Sequence, residues 1–197
     1  AYAGKLCSED FRHIYIEYVE YMDQLSAVSG IKVSSFSDLC KALSNRMDFF
    51  ASMGCCVSDH ALEYVMYAPA SAEEIESIFA KRLAGNDVTK EEELKFKTAF
   101  MVNVGKEYTK RNWVMQLHYG TIRDNNVFRY NQLGPDTGFD CINTYDCSAE
   151  MAQFLNAINS TDELPKTIIY SLNPSVNAAI GTVIGCFQDS KAVGKIQ

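Results

Sequence analysis

Apolar residues recur every three or four positions near the start of the chain, which is the spacing of one face of an α-helix. They are Phe11, Ile14, Tyr15, Tyr18 and Met22. This helix is predicted to begin at a serine cap, Ser8, to run to about Val28 and to end at Gly30.

A second helix is predicted directly after the first. Ser35 and Asp38 resemble a capping arrangement for a helix over 37–53. Gly54 supplies the stop, because glycine readily adopts the backbone conformation that ends helices. Neither helix carries residues that suggest chemistry. The first 54 residues are therefore predicted to form a helical segment that precedes the rest of the fold.

After residue 54 the pattern changes to short apolar runs that alternate with helical stretches. The apolar runs are interpreted as buried strands at 55–60, 113–118 and 167–172, with a further strand beginning at 194–197. The predicted helices lie at 72–83, 90–111, 148–158 and 176–186, with one or two short helices between 118 and 148. Such alternation is typical of right-handed βαβ units and a parallel sheet.

The order of elements is that of a (β/α)8 barrel, but the chain accounts for only part of one. A closed barrel takes about 250 residues, and this chain has 197, of which the first 54 are assigned to helices. The fold class is therefore predicted to be α/β, with residues 55–197 forming a partial TIM-type barrel that is not a complete domain. Residues 1–54 form the N-terminal helical segment of this prediction.

Composition and charge narrow the choice of partners. The apolar fraction of 47% and the charged fraction of 22% are ordinary for a globular protein. A net charge of −7 argues against nucleic acid and anionic membranes as partners, because neither attracts an acidic surface. The seven cysteines show no CxxC spacing, and neither a signal peptide nor a membrane span is recognisable. We therefore expect reduced thiols and a cytoplasmic protein.

Candidate site residues stand where the predicted strands end. Asp59 and His60 end the first strand, His118 ends the second and Asn173 follows the third. In a parallel sheet these ends meet at one rim, which is where barrel enzymes keep their sites. The alternative for each histidine is a buried ring that is hydrogen-bonded to a backbone carbonyl. A neutral imidazole suits a metal, but two histidines alone do not make a metal site.

The loop after the second strand contains a candidate anion-binding residue, Arg123. A guanidinium can hold a substrate carboxylate through a bidentate pair. The alternative is an ordinary loop arginine that pairs with Asp124 or Asp136. The aromatic residues Trp113 and Tyr170 are interpreted as core side chains. These residues by themselves indicate part of an α/β-barrel enzyme whose reaction stays unassigned.

Several segments together resemble the uronate (glucuronate) isomerase family of the amidohydrolase superfamily. The most specific are WVMQLHYG at 113–120 and GPDTGFD at 134–140. The others are MGCCVSDH at 53–60, KRLAG at 81–85, ELPKTIIYSLNP at 163–174 and VGKIQ at 193–197. They keep the family's order and spacing, and the resemblance runs from about Ser29 to the last residue.

This resemblance implies a (β/α)8 barrel, of which the chain would supply about strands 4 to 7. It also implies the interconversion of D-glucuronate with D-fructuronate and of D-galacturonate with D-tagaturonate. That reaction moves a proton between C2 and C1 through an enediol, so it needs a base, stabilisation of an oxyanion and a cationic clamp for the C6 carboxylate. A divalent metal, usually zinc in this superfamily, polarises the reacting oxygens.

The family's roles carry over to matching positions. His118 matches the histidine that ends the fifth strand, a metal-ligand position. Asp59 and His60 match the end of the fourth strand and are expected to be catalytic. The asparagines Asn125 and Asn126, with Arg123, match the loop after the fifth strand and are expected to bind substrate.

Other parts of the family's site are not found in the chain. The metal-ligating histidine pair of the first strand is absent, as are the aspartate and arginine of the eighth. We therefore expect a family fragment that is inactive or nearly so alone, holds no metal by itself and forms a homo-oligomer through exposed sheet edges. Two alternatives stay open: another metal-dependent enzyme of the superfamily, and a non-catalytic half-barrel assembly module.

Overall fold

The structure is a computed structural model that describes residues 11–197, with side chains from residue 18 onward. Seven α-helices, one short 3-10 helix (Pro174–Val176) and five strands lie in that range. The helices are α1 (Phe11–Ser29), α2 (Phe36–Ser52), α3 (Ala72–Leu83), α4 (Lys90–Lys110), α5 (Val127–Leu133), α6 (Ser148–Asn159) and α7 (Asn177–Cys186). The strands are β1 (Val57–Ala61), β2 (Val114–Tyr119), β3 (Thr121–Ile122), β4 (Cys141–Ile142) and β5 (Thr167–Ser171).

The two N-terminal helices form where the sequence predicts them. The predicted cap Ser8 lies outside the described residues. Ser35 caps α2, because its hydroxyl accepts a hydrogen bond from the amide of Asp38 at 3.0 Å. Buried residues of both helices, together with Phe79 of α3, form one apolar cluster. The helical segment thus packs against the helices that follow it. The division of the chain at residue 54 stays a prediction.

The predicted capping motifs of α3 and α4 are present. The hydroxyl of Ser71 accepts a hydrogen bond from the amide of Glu74 at 3.2 Å. Thr89 and Glu92 form a reciprocal capping box, in which each side chain accepts from the other residue's backbone amide. These bonds satisfy amide groups that the first helical turn leaves without partners, so the sequence sets where both helices begin.

The main sheet is parallel, as predicted, with the strand order β1-β2-β5. The predicted fourth strand adds to its edge through a parallel bridge between Thr167 and Ile196. Backbone hydrogen bonds flank the bridge, from the amide of Thr167 to the carbonyl of Lys195 at 2.9 Å and from the amide of Gln197 to the carbonyl of Thr167 at 3.0 Å. The structure therefore confirms an α/β fold built on parallel strands.

The two faces of this sheet have different environments. Met115 and Leu117 of β2 are fully buried in a core that includes residues of α4 and α6. Helix α4 comes close to α6 at Gly105, where a Cβ would lie 2.8 Å from Cδ1 of Ile158. Because strand side chains alternate between faces, the other face carries a different set. That set includes Asp59, Gln116, His118 and Tyr170.

The segment between β2 and α6 contains more structure than predicted. One short helix, α5, is present, and one or two were predicted. Strands β3 and β4 form an antiparallel ribbon of two residues each, which the sequence pattern does not predict. Two residues are too few to show the alternation that identifies a strand. In the part of the chain that the structure describes, no helix is long and apolar enough to cross a membrane.

Candidate active site

Asp59 and His118 form a hydrogen-bonded pair on the face of the sheet that the helices leave uncovered. Asp59 lies on β1 opposite Gln116, and His118 lies two residues further along β2. Nδ1 of His118 and Oδ1 of Asp59 are 2.5 Å apart. An ionised carboxylate only accepts hydrogen bonds, so we assign the Nδ1 proton to the imidazole, which leaves the lone pair on Nε2. The side chains are 44% (His118) and 60% (Asp59) exposed.

One face of the His118 ring is covered by the ring of Tyr170. The two residues are register partners on β2 and β5. Their ring centroids lie 4.2 Å apart with an interplanar angle of 3°. Tyr170 is 40% exposed, so its interpretation as a core side chain is wrong, whereas Trp113 is buried as expected. No local sequence signal identifies the stack, because it follows from the register between strands that are far apart in the chain.

His60 lies on the opposite face of the sheet from the Asp59–His118 pair. It is the register partner of buried Leu117, and its Nε2 lies 3.0 Å from the hydroxyl of Tyr108 on α4. Burial lowers the pKa of His60 to about 4, so the ring is neutral at physiological pH. The expectation that both residues at this strand end face one rim therefore fails for His60. The alternation of strand side chains, which places consecutive residues on opposite faces, is the signal that separates the two.

Arg123 is held by two aspartates of the GPDTGFD loop. Its Nη1 donates to Oδ1 of Asp136 and to Oδ2 of Asp140, both at 3.1 Å. The other oxygen of Asp140 accepts from the backbone amide of Asp124 at 2.9 Å. The pairing with Asp136 is the alternative that the sequence left open. The guanidinium side chain is 53% exposed, so it stays accessible to an anion.

The two predicted substrate-binding asparagines shape this loop. Nδ2 of Asn125 donates to the carbonyl of Ile122 at 2.8 Å and to that of Phe139 at 3.1 Å. Oδ1 of Asn126 caps α5 by accepting from the amide of Arg129 at 3.1 Å. Both side chains therefore have local structural partners, and their contact with substrate stays a prediction.

A buried asparagine that sequence reasoning missed ties together the loops beyond the strand ends. The backbone amide of Asn143 donates to the carbonyl of Gly120 at 2.8 Å. Its carbonyl accepts from Nδ2 of Asn173 at 3.2 Å, and both side chains are buried. Asn173, a predicted strand-end polar group, thus holds the loop after β5 against the loop after β2. These bonds fix the rim on which the Asp59–His118 pair lies.

The described residues do not by themselves form a metal centre. No group of three or more histidine, cysteine, aspartate or glutamate side chains in that part of the chain is arranged to hold a metal ion. Zinc sites in proteins use at least three protein ligands. Asp59 and His118 supply two potential donors, so the residues present do not fit a complete site.

A carboxylate–imidazole pair on one face of a parallel sheet, near the strands' carboxyl ends, places the chain in the class of α/β proteins that carry their sites at that edge. Comparison with known protein families gives a specific match. The family model described as "UxaC: Glucuronate isomerase" matches residues 12–197. The chain therefore belongs to the glucuronate isomerase family, as the resemblance of its motifs predicted.

Relatives and solved structures agree with this assignment. The chain is 82% identical over 181 residues to a uronate isomerase of Lachnospira eligens, covering 92% of the chain and 39% of the relative. It is 71% identical to a uronate isomerase of Lachnoclostridium phytofermentans, with the same coverage of 92% and 39%. A crystal structure of uronate isomerase from Thermotoga maritima matches with a TM-score of 0.80 at 27% identity, over 91% of this chain and 38% of that one. The chain thus spans about two fifths of the length of the curated relatives it matches.

Proposed function

We propose that this chain forms the central portion of a (β/α)8 uronate isomerase, with its parallel strand segments as strands 4 to 7 of the barrel. Two features support the proposal. The strands of the main sheet are parallel and follow one another across the sheet in chain order, and helices cover only one face of this sheet. In a closed barrel the helices lie outside, so the face that carries Asp59 and His118 would line the interior.

The proposed reaction interconverts D-glucuronate with D-fructuronate and D-galacturonate with D-tagaturonate. It removes a proton at C2, passes through an enediol and returns the proton at C1. The observation that carries the proposal is the 2.5 Å contact between Asp59 and His118 on the open face. Asp59 fixes the protonated Nδ1 of the imidazole, so Nε2 presents a lone pair toward the site.

Arg123 is proposed to bind the C6 carboxylate of the hexuronate. Its guanidinium has five N–H donors in a rigid fork, which matches a carboxylate, and about half of the side chain is exposed. Asp136 and Asp140 hold it in place by sharing one of its terminal nitrogens, Nη1. Asn125 and Asn126 are proposed to assist substrate binding from the same loop, whose shape they set.

We propose a bound metal only for a longer protein that supplies ligands in addition to those of the described residues. His118 is proposed as a ligand of a divalent ion, with zinc the expected choice, and further ligands must come from outside the described residues. When bound, such an ion polarises carbonyl and hydroxyl oxygens. We also propose a cytoplasmic location, a homo-oligomeric state and little or no turnover by this chain alone. The catalytic role predicted for His60 stays a prediction. Its ring lies on the helix-covered face, opposite the proposed site.

A segment exchange with the Lachnospira eligens relative tests the function. In the exchange protein this chain replaces the matching 181-residue region of that uronate isomerase, to which it is 82% identical. Purified exchange protein with added zinc is assayed for conversion of D-glucuronate and D-galacturonate, beside the parent protein and this chain alone. We expect turnover by the parent and the exchange protein. A folded exchange protein that turns over neither sugar while the parent does would contradict the proposal.

A further inference from the structure

The orientation of the His118 imidazole is determined from two sides by different strands. On the β1 side, Oδ1 of Asp59 lies 2.5 Å from Nδ1. On the β5 side, the ring of Tyr170 lies parallel to the imidazole, with 4.2 Å between the centroids. A single hydrogen bond restrains one nitrogen but leaves the ring plane free to tilt about it. A stacked aromatic ring restrains the plane itself, so the two contacts together select one orientation.

The stack is a consequence of the sheet rather than of a mobile loop. His118 and Tyr170 are register partners in adjacent parallel strands, so their Cβ atoms project side by side from the same face. The hydroxyl of Tyr170 also accepts a long hydrogen bond, 3.4 Å, from Nε2 of Gln116, two residues before His118 on β2. Tyr170 is therefore anchored to the same strand that carries the histidine.

Solvent exposure argues against a simple packing role for Tyr170. Its side chain lies on the open face and is 40% exposed, while the buried core lies on the helix-covered face. We infer that Tyr170 is a positioning residue, whose ring holds the imidazole plane of His118 so that Nε2 points into the proposed isomerase site. This inference rests on the proposed function for its catalytic consequence, but the orientation of His118 can be measured without turnover.

The test compares two variants that differ only in whether an aromatic ring remains. Tyr170→Phe keeps the ring and loses the hydroxyl, whereas Tyr170→Leu removes the ring. Long-range ¹H–¹⁵N NMR of the full chain reports the tautomer of each histidine, and the ring current of a stacked aromatic displaces imidazole proton signals upfield. The chain has three histidines, so the spectrum of His118→Gln assigns the relevant signals. Far-UV circular dichroism verifies that each variant is folded.

We expect Tyr170→Phe to keep the upfield signals and the Nδ1-protonated tautomer of His118, and Tyr170→Leu to lose the upfield displacement and show a mixture of tautomers. The upfield displacement disappears with the ring itself, so the tautomer is the deciding signal. A His118 ring that stays fully Nδ1-protonated in a folded Tyr170→Leu variant would overturn the inference, whatever the isomerase assay gives. In the exchange protein, Tyr170→Leu should lower kcat by roughly 10- to 100-fold with KM nearly unchanged, and Tyr170→Phe should retain activity. Equal kcat values for both variants in an active enzyme would also contradict it.

If the exchange protein with Tyr170 is itself inactive, the proposed function fails, and the NMR comparison still decides whether Tyr170 positions the ring.

Discussion

Replacement of His60 by glutamine should make the stability of the protein less sensitive to acid. The ring of His60 packs on the helix-covered face of the sheet, where Nε2 bonds to the hydroxyl of Tyr108 at 3.0 Å. Burial lowers the pKa of His60 from 6.5 to about 4 in the folded state. The unfolded chain therefore binds a proton at His60 more readily than the folded chain does. The stabilisation from the neutral ring is complete above about pH 6.5 and is lost as the pH falls toward about 4.

The size of the effect follows from the two pKa values. The difference between 6.5 and about 4 corresponds to about 3 kcal/mol when both states have titrated. By the linkage relation, about 2 kcal/mol of this is lost between roughly pH 7 and pH 5. Carboxylates such as Glu107 also titrate in acid. Burial alone would raise the pKa of Glu107, but hydrogen bonds from Lys110, Arg111 and Ser44 lower it to about 2. Such contributions are common to wild type and variant, and they cancel in the difference.

Urea unfolding followed by fluorescence measures this difference. Wild type and His60→Gln are compared at several values between pH 7 and pH 5, and His118→Gln, a histidine variant on the opposite face, serves as the matched control. The free energy of unfolding of wild type should fall about 2 kcal/mol further than that of His60→Gln over this range. Parallel curves for the two proteins would refute the claim that burial depresses the pKa of His60.

Three further substitutions test the scaffold by urea unfolding. Arg111→Ala should cost about 1–2 kcal/mol, because the carboxylate of Glu107 loses its 2.7 Å partner and keeps only Lys110 and Ser44; an unchanged free energy of unfolding would show the pair to be unimportant. Thr89→Ala should cost about 1 kcal/mol through loss of the α4 capping box, and an unchanged midpoint would contradict this. Gly120→Ala should cost about 1–2 kcal/mol, since Gly120 has a φ of +87° and its Cβ would lie 3.4 Å from the amide nitrogen of Leu172; equal stability would indicate that the loop relaxes.

Much of the fold follows from local signals in the sequence. The capping pairs at Ser71 and Thr89 place two helix starts, and short apolar runs between helices predict parallel strands. The ribbon of β3 and β4 escapes such reasoning, because two-residue strands have no period to detect. Their pairing depends on how the 123–140 loop folds back, which is a property of tertiary structure.

The sequence also predicts the candidate site only in part. The position of His118 at a strand end, near a carboxylate from the neighbouring strand, follows from the order of elements. The separation of Asp59 from His60 follows from strand alternation, once the face is known. The stack of Tyr170 on His118 depends on the register of β2 against β5, and residue spacing does not specify that register.

The most direct test of the central claim is the kcat of Asp59 and His118 variants in the exchange protein. Asp59→Asn and His118→Ala should each lower kcat by about 100-fold or more, and the double variant should be little worse than either, because the two groups act as a unit. Glu20→Gln, on the exposed surface of α1, is the control and should keep full activity. Single variants within about threefold of wild-type kcat would contradict the account, since a loss that small is well below what a catalytic pair contributes.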